Sequence, residues 1–480
     1  MAKQGISQLP YTQLALALII GIIAVRLFSL GMYPLFDTTE ARYGEIARIM
    51  YETNNWVTPM FDYNVPFWGK PPAHTWLSAS SMFFFGVNEF TARLPHLLTG
   101  IGCLLLVFYF ARRVIDPLYA LKATLILVSM LGFTICAGMV MTDTALTFTL
   151  LISAYAFWLC LFDGRNPCYG HLFFAGLGLC MLIKGPVALV IAGIALGLFA
   201  TLTGNWKTLF QKLPWFTGTL VFLMICLPWY LLAEWATPGF LEYFLWGEHV
   251  QRFLVPGWEG DLYGTAHKEP KGTIWLFWLL MALPWSLILL YKVGKHSVTH
   301  GVKNSIESVK HTSELQVYFL CWAVAPMLLF TLAGNVLSAY VLPGLPALAL
   351  ALANMRISLR FSIITAGLSF IVISVALALL NQGVIGKTNE KGLMQSVQQS
   401  GLDLPILYWK KRPFSAQFYS YGLAFKVENA QQIEKYTQNT NAYWLVVSHD
   451  DIKQNVPVFS SYCEEHDRNK KRLLLLCNSE

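Results

Sequence analysis

Asp37, Lys70, Asp143, Lys184, His249 and Tyr340 each stand where an apolar run gives way to a short polar stretch. A carboxylate held at such a boundary can take a proton or hold a cation. A lysine with little water to escape into calls for an anionic partner, and a phosphate suits it as a point-charge contact.

Asp37 opens the amphipathic stretch "DTTEARYGEIARIMYET". The spacing lets it cap the helix that follows, with Glu40 three residues on in a capping-box-like relation. A capped carboxylate is still an anion at a membrane surface, so a cap and a chemical role are compatible. Asp143, in "VMTDTALT", is either a turn residue or a functional acid, since acids at membrane depth are costly. Lys70 lies in "FWGKPP", where the following prolines disfavour helix and hold it extended. It is either a fixed phosphate partner or a loop lysine that snorkels to water. Lys184, in "LIKGPV", separates two short hydrophobic runs. "EYFLWGEHVQRFL" brings Glu248, His249 and Arg252 onto an aromatic-rich segment. That segment is an interfacial anchor, or a place for His249 to bind a metal or a substrate oxygen. Tyr340, in "GNVLSAYVLPGLP", begins an apolar segment broken by Pro343 and Pro346 and fits an interfacial tyrosine.

The elements that must position these residues are membrane helices. Hydrophobic residues make up 55% of the 480-residue chain and charged residues 13%, about half the charged share of a soluble domain. Spans are expected near 11–31, 94–111, 118–140, 144–162, 169–183, 186–203, 214–233, 273–291, 315–333, 341–355 and 361–380. The first is read as a span rather than a signal peptide, because its apolar run is too long and no small-x-small site follows promptly. A net charge of +7 fits basic cytoplasmic loops and calls for no nucleic acid.

Arg112, Arg113, Lys122, Lys207, Lys212, Lys292, Lys295, Lys303, Lys310, Arg356 and Arg360 all fall on one side of this arrangement, which places the N-terminus in the cytoplasm. The loops 31–93 and 234–272 and the tail 381–480 share the opposite face, and so do all six chemical positions. Within the first loop, "HTWLSASSMFFFGV" is too short to span and suits an interfacial or re-entrant helix. Residues 1–380 thus read as a membrane domain and 381–480 as a small α/β domain. Strands are expected in "LPILYWK", "AQFYSYG", "AYWLVVS" and "RLLLLCN", and a helix in "NAQQIEKYTQN". Cys463 and Cys477 lie in this polar tail, where an oxidising periplasm permits a bridge between them; the alternative is two unpaired thiols.

"FDTTEARYGEIAR", "GKPP", "TARLP", "TDT", "IKGP", "EHVQRF" and "AYVLP" follow one another in the order seen in bacterial glycosyltransferases of the PMT/ArnT superfamily, which this chain resembles over roughly its whole membrane part. The resemblance implies a GT-C fold of about 11–13 transmembrane helices, with periplasmic interfacial helices and a site at the outer membrane face. It implies a donor sugar carried on undecaprenyl phosphate. By position, Asp37 matches the family's acidic residue after the first helix, a base or metal-linked carboxylate, and Asp143 its second acid. Lys70 and Tyr340 match the residues near the lipid phosphate, and His249 the histidine of the later periplasmic loop. Arg42 and Lys184 are expected to assist Lys70 at that phosphate, and Glu40 and His249 to contact substrate.

One departure stands out. Aminoarabinose transferases read Tyr-Phe-Glu-Lys-Pro-Pro where this chain has Phe67-Trp68-Gly69-Lys70-Pro71-Pro72. The loss of that glutamate argues against a metal site shared with the loop histidine, and against aminoarabinose as the sugar. A divalent cation held by Asp37 and His249 remains the cofactor expectation. The function expected is inverting transfer of a pentose or hexose from the lipid-linked donor to lipid A or a related envelope glycolipid, at the periplasmic face of the inner membrane. A protein or polysaccharide acceptor is the alternative enzyme reading. A transporter is the non-enzyme rival, although transporters gather ionisable residues near the midplane of broken helices.

Overall fold

A backbone in hydrocarbon must satisfy every N–H and C=O within its own segment, so the apolar runs form helices. The computed structural model describes residues 2–164, 166–264, 267–300, 312–386, 388–452 and 462–478; Lys303 and Lys310 lie outside them. Pro10–Ser29, Glu89–Val114, Thr142–Phe162, Trp215–Ala236 and Leu359–Asn381 are long and apolar enough to cross a membrane. Thr273–Met281 and Trp285–Thr299 form an apolar pair bent by 107°, the geometry of a broken span or a re-entrant loop. Shorter apolar helices at Pro117–Val128, Cys168–Ile183, Val187–Thr203, Glu314–Phe330 and Ser338–Asn354 occupy the other expected stretches. The chain is a multi-pass membrane protein, mainly helical, with a small C-terminal sheet.

Helix α1 (Ala2–Ser29) leads into a polar layer at one end of the bundle. Helix α2 (Thr39–Thr53) and helix α3 (Ala73–Phe85) lie in this layer, and α4 (Glu89–Val114) returns from it into the membrane. The start of α4 is fixed by Asn88, whose side chain accepts from Thr91 N–H while the Thr91 hydroxyl accepts from Asn88 N–H. Phe83, Phe84 and Phe85 end α3 exposed, as suits an interfacial helix. A second hydrophobic core forms here, apart from the bundle's own. It joins Leu35, Tyr43, Ile46 and Met50 to Phe67, to Tyr263 from the later loop and to Phe418 from the tail.

The C-terminal sheet has the order β4-β3-β5-β7-β6, with β3 Ile406–Trp409, β4 Ala424–Val427, β5 Ala442–Ser448, β6 Cys463–Arg468 and β7 Arg472–Asn478. The first loop carries the two-stranded pair β1 Met60–Asp62 and β2 Val65–Pro66. Strands β4, β3 and β5 run parallel, whereas β5, β7 and β6 are antiparallel. Parallel neighbours need a crossover, and this corrects the strand expected in "AQFYSYG": its first residues belong to the helix Phe414–Tyr419 that links β3 to β4. Edge strand β6 reads Cys-Glu-Glu-His-Asp-Arg, and its charges blunt the free edge. Cys463 pairs with Cys477 across β6 and β7, and a disulfide joins them.

Candidate active site

A cavity of about 360 Å³ opens where the polar layer meets the bundle. Asp37, Glu40 and Arg42 line it from the start of α2, Gly69 and Lys70 from the loop before α3, and Asp143 from the first turn of the Thr142–Phe162 helix. Lys184, Glu248, Arg252, Asp261, Tyr263 and Tyr340 are among the other lining residues. Five of the six positions singled out at apolar boundaries therefore share one cavity. His249 is not among its lining residues.

Each charged group has a specific partner. Lys184 Nζ donates to Asp143 Oδ1 at 2.5 Å, with both side chains under a tenth exposed. It also sits 4.3 Å from the centroid of the Tyr340 ring, a cation–π arrangement. Lys70 Nζ donates to the Gly69 carbonyl at 2.5 Å and to Glu248 Oε2 at 3.1 Å. The same Oε2 accepts from Arg252 Nη1 at 2.9 Å. Glu248 thus gathers two cations at one point. Burial would push its carboxyl up, but Lys70 and Arg252 hold it below the usual range. Arg42 Nη1 donates to the Tyr263 carbonyl at 2.8 Å, and its Nε is buried without a hydrogen-bond partner among the described residues. Arg252 joins the candidate cations. Its sequence signal was its place three residues after His249, which drew the attention instead.

Asp37 does not cap α2. The cap position is Thr38, with no side-chain cap hydrogen bond. Both Asp37 oxygens turn to the C-terminal region: Oδ1 accepts from Ser415 N–H at 3.1 Å and Oδ2 from the Ser415 hydroxyl. Burial pushes the Asp37 carboxyl up, while these bonds and the Arg472 guanidinium pull it back. Glu40 borders the cavity, yet its oxygens are engaged by Arg93 at 2.7 and 2.8 Å and by the N–H groups of Phe36 and Val140. That geometry makes Glu40 a strut, in place of the substrate contact expected of it.

His249 Nδ1 bonds with the Phe244 carbonyl at 2.8 Å, and burial pushes the imidazole down to about 4. A Cβ at Gly185, where φ is +92°, would lie 2.6 Å from the Phe244 ring and 3.2 Å from His249 Cε1. The Lys184-Gly185 turn therefore needs glycine to pass this wall, and His249 shapes the wall behind Lys184. The expected cation site at Asp37 and His249 does not fit these residues. Each is bound elsewhere, and no group of three or more His, Cys, Asp or Glu side chains suited to a metal occurs among the described residues.

The Phe67 and Gly69 exchange is a coupled one. A Cβ at Gly69 would stand 2.8 Å from Phe67 Cζ. Phe67 packs edge-on against Tyr263 with ring centroids 4.8 Å apart, so the aromatic ring fills the space a side chain at position 69 would take.

The family model described as dolichyl-phosphate-mannose-protein mannosyltransferase matches residues 11–244. The undecaprenyl phosphate-alpha-4-amino-4-deoxy-L-arabinose arabinosyl transferase of Enterobacter sp. (strain 638) is 30% identical over 348 residues, covering 71% of this chain and 59% of the relative. Its counterpart in Shewanella sediminis (strain HAW-EB3) is 30% identical over 361 residues, covering 72% and 61%. The chain thus spans about three fifths of the length of these curated relatives. The crystal structure of ArnT from Cupriavidus metallidurans bound to undecaprenyl phosphate aligns with a TM-score of 0.80 at 19% identity, over 96% of this chain and 97% of that one. The same protein in its apo state gives 0.79 at 18% identity, over 99% and 98%. This likeness establishes the fold.

Proposed function

From the premise that the chain belongs to the PMT/ArnT-like superfamily and has its GT-C fold, we propose that it transfers a sugar from a polyprenyl-phosphate carrier, undecaprenyl phosphate by the names of its relatives, to lipid A or a related envelope glycolipid. The reaction belongs at the periplasmic face of the bacterial inner membrane, with the N-terminus in the cytoplasm. The observation that carries this reading is one cavity at an end of the bundle, lined together by Lys70, Lys184, Arg42 and Arg252 and by Asp37.

The acceptor oxygen attacks the anomeric carbon from the face opposite the phosphate. The bond from that carbon to the phosphate oxygen breaks, its electron pair leaves with the phosphate, and the anomeric centre inverts. Lys70 and Arg252 are already paired through Glu248 and stand ready to stabilise the growing charge. Arg42 adds an unused donor. Where the acceptor is a hydroxyl, its proton passes to Asp37. Where it is a phosphate, the oxygen is already nucleophilic and Asp37 orients it. The Phe67–Gly69 exchange supports a sugar other than aminoarabinose, because the carboxylate is lost at Gly69 and the Phe67 ring lies in its space.

The test is transfer by the full chain in vesicles, with undecaprenyl-phosphate sugars offered alongside lipid A and products read by mass spectrometry. A product on protein instead would favour the acceptor named by the matching family model. Uptake of a solute with no covalent product would favour a transporter. Lys70→Ala is expected to weaken apparent donor affinity by at least tenfold and acceptor affinity little, since a charge-assisted hydrogen bond contributes about 1.5–3 kcal/mol. Unchanged donor affinity would remove Lys70 from the phosphate site.

A further inference from the structure

Ser415 lies 378 positions from Asp37 in sequence, yet gives the Asp37 carboxylate both a backbone and a side-chain hydrogen bond. It is fully buried. Its backbone N–H is free to do this because it falls in the first turn of the Phe414–Tyr419 helix, where N–H groups have no partner within the helix. The hydroxyl has a fixed polarity. Its oxygen accepts the Glu390 N–H at 3.1 Å, which leaves the single hydroxyl hydrogen for Asp37 Oδ2. Glu390 is in turn held by Arg472 Nη1 at 2.6 Å and the Tyr408 hydroxyl at 3.1 Å.

The helix that bears Ser415 is clamped to the first loop on several sides. Arg412 pairs with Asp62, and Gln417 Nε2 donates to the same carboxylate at 2.9 Å. The Tyr419 hydroxyl accepts Leu35 N–H at 2.7 Å and donates to Glu89 at 3.0 Å, while Lys391 reaches Glu89 at 2.5 Å. The strand-bearing tail is therefore docked on the segment that carries Asp37, outside the lining of the cavity itself.

We propose that Ser415 is a positioning residue of the active site: by donating twice to Asp37 it favours the ionised carboxylate and fixes it in place at the edge of the cavity, so catalysis requires the C-terminal domain to be docked. This rests on the function proposed above. The charged and titratable groups that share the cavity with Asp37 are Glu40, Arg42 and Tyr43 beside it, Lys70, Asp143 and Lys184, and Glu248, Arg252, Asp261, Tyr263, His267 and Tyr340 on the later segments, while Glu390, Tyr408 and Arg472 lie behind Ser415. Donors to the charged form favour it, so loss of the hydroxyl raises the pH at which Asp37 ionises.

The test uses the full chain with Ser415→Ala and Ser415→Thr. Ser415→Ala is expected to lower kcat about tenfold, to leave KM for the lipid-linked donor unchanged, and to move the acidic limb of the kcat profile upward by about one pH unit. Ser415→Thr keeps the hydroxyl and is expected to restore the limb. An unmoved limb in Ser415→Ala, or a limb equally displaced in Ser415→Thr, overturns the proposal. A second readout needs no transfer activity. The pH dependence of thermal stability is expected to differ between wild type and Ser415→Ala, and that difference is expected to vanish in an Asp37→Asn background. If it persists there, Ser415 does not act through Asp37. If it vanishes while no lipid-linked sugar is ever transferred, the Ser415–Asp37 coupling stands and the glycosyltransferase reading falls.

Discussion

Asp37→Asn is expected to cut sugar transfer by about 10²–10⁴-fold while leaving the protein at least as resistant to heat as wild type at neutral pH. Loss of activity follows if Asp37 takes the acceptor proton, because the amide cannot. The thermal result follows from the environment of the carboxylate. Burial pushes its pKa up in the folded state despite the Ser415 bonds and Arg472. A folded carboxyl that holds its proton more tightly than the unfolded one stabilises the fold at low pH, and that contribution is lost as pH rises from the ordinary carboxylate range through the raised folded value. At neutral pH the ionised Asp37 is therefore a cost, and asparagine removes it while still accepting a hydrogen bond from Ser415. Melting temperatures of the two proteins in detergent, taken from pH 4 to pH 8, should separate upward through that window and then run parallel. A variant that melts well below wild type at pH 8 would mean that the hydrogen bonds to the anion outweigh its burial. A loss of activity much smaller than a hundredfold would point to an acceptor that arrives as a phosphate.

The sequence carried the membrane architecture and most of the cavity for one reason: hydrocarbon penalises charge so heavily that Lys70, Asp143 and Lys184 stand out by position alone. A charge that cannot reach water must be paired or used, and these three are paired. Which partner each one meets was not legible, because hydropathy registers the boundary and not the contact. Nothing near Asp37 points to Ser415, and the local spacing to Glu40 pointed instead to a cap that does not form. Short polar segments in a tail fail in a similar way. "AQFYSYG" has the composition of a strand, but the parallel pairing of β3 with β4 demands a crossover there. His249 was legible as a special residue, yet it packs beside the Gly185 turn and does not line the cavity.

The ion pair between Glu40 and Arg93 supplies the second large effect. Arg93 is fully buried and Glu40 nearly so. The guanidinium binds both carboxylate oxygens and also donates to the carbonyls of Leu30, Tyr33 and Pro34, tying the end of α1 to the starts of α2 and α4. Arg93→Ala strands a buried carboxylate and removes the donor from three carbonyls, so a loss of about 3–5 kcal/mol is expected from the charge alone. Glu40→Leu strands the cation instead and should cost a comparable amount. The Arg93→Met, Glu40→Leu pair discriminates between two accounts. If the charges matter only to each other, the double variant should return close to wild-type stability, as replaced buried pairs often do. The three carbonyls predict otherwise, because methionine donates to none of them, and each unsatisfied buried acceptor costs about 1–3 kcal/mol. Denaturant or thermal unfolding in detergent should therefore place the double variant above Arg93→Ala and still clearly below wild type. Full recovery would show that those carbonyls find other partners. No recovery would show that the pairing of Glu40 with Arg93 contributes little, and that Arg93 acts chiefly as a backbone clamp beneath Asp37.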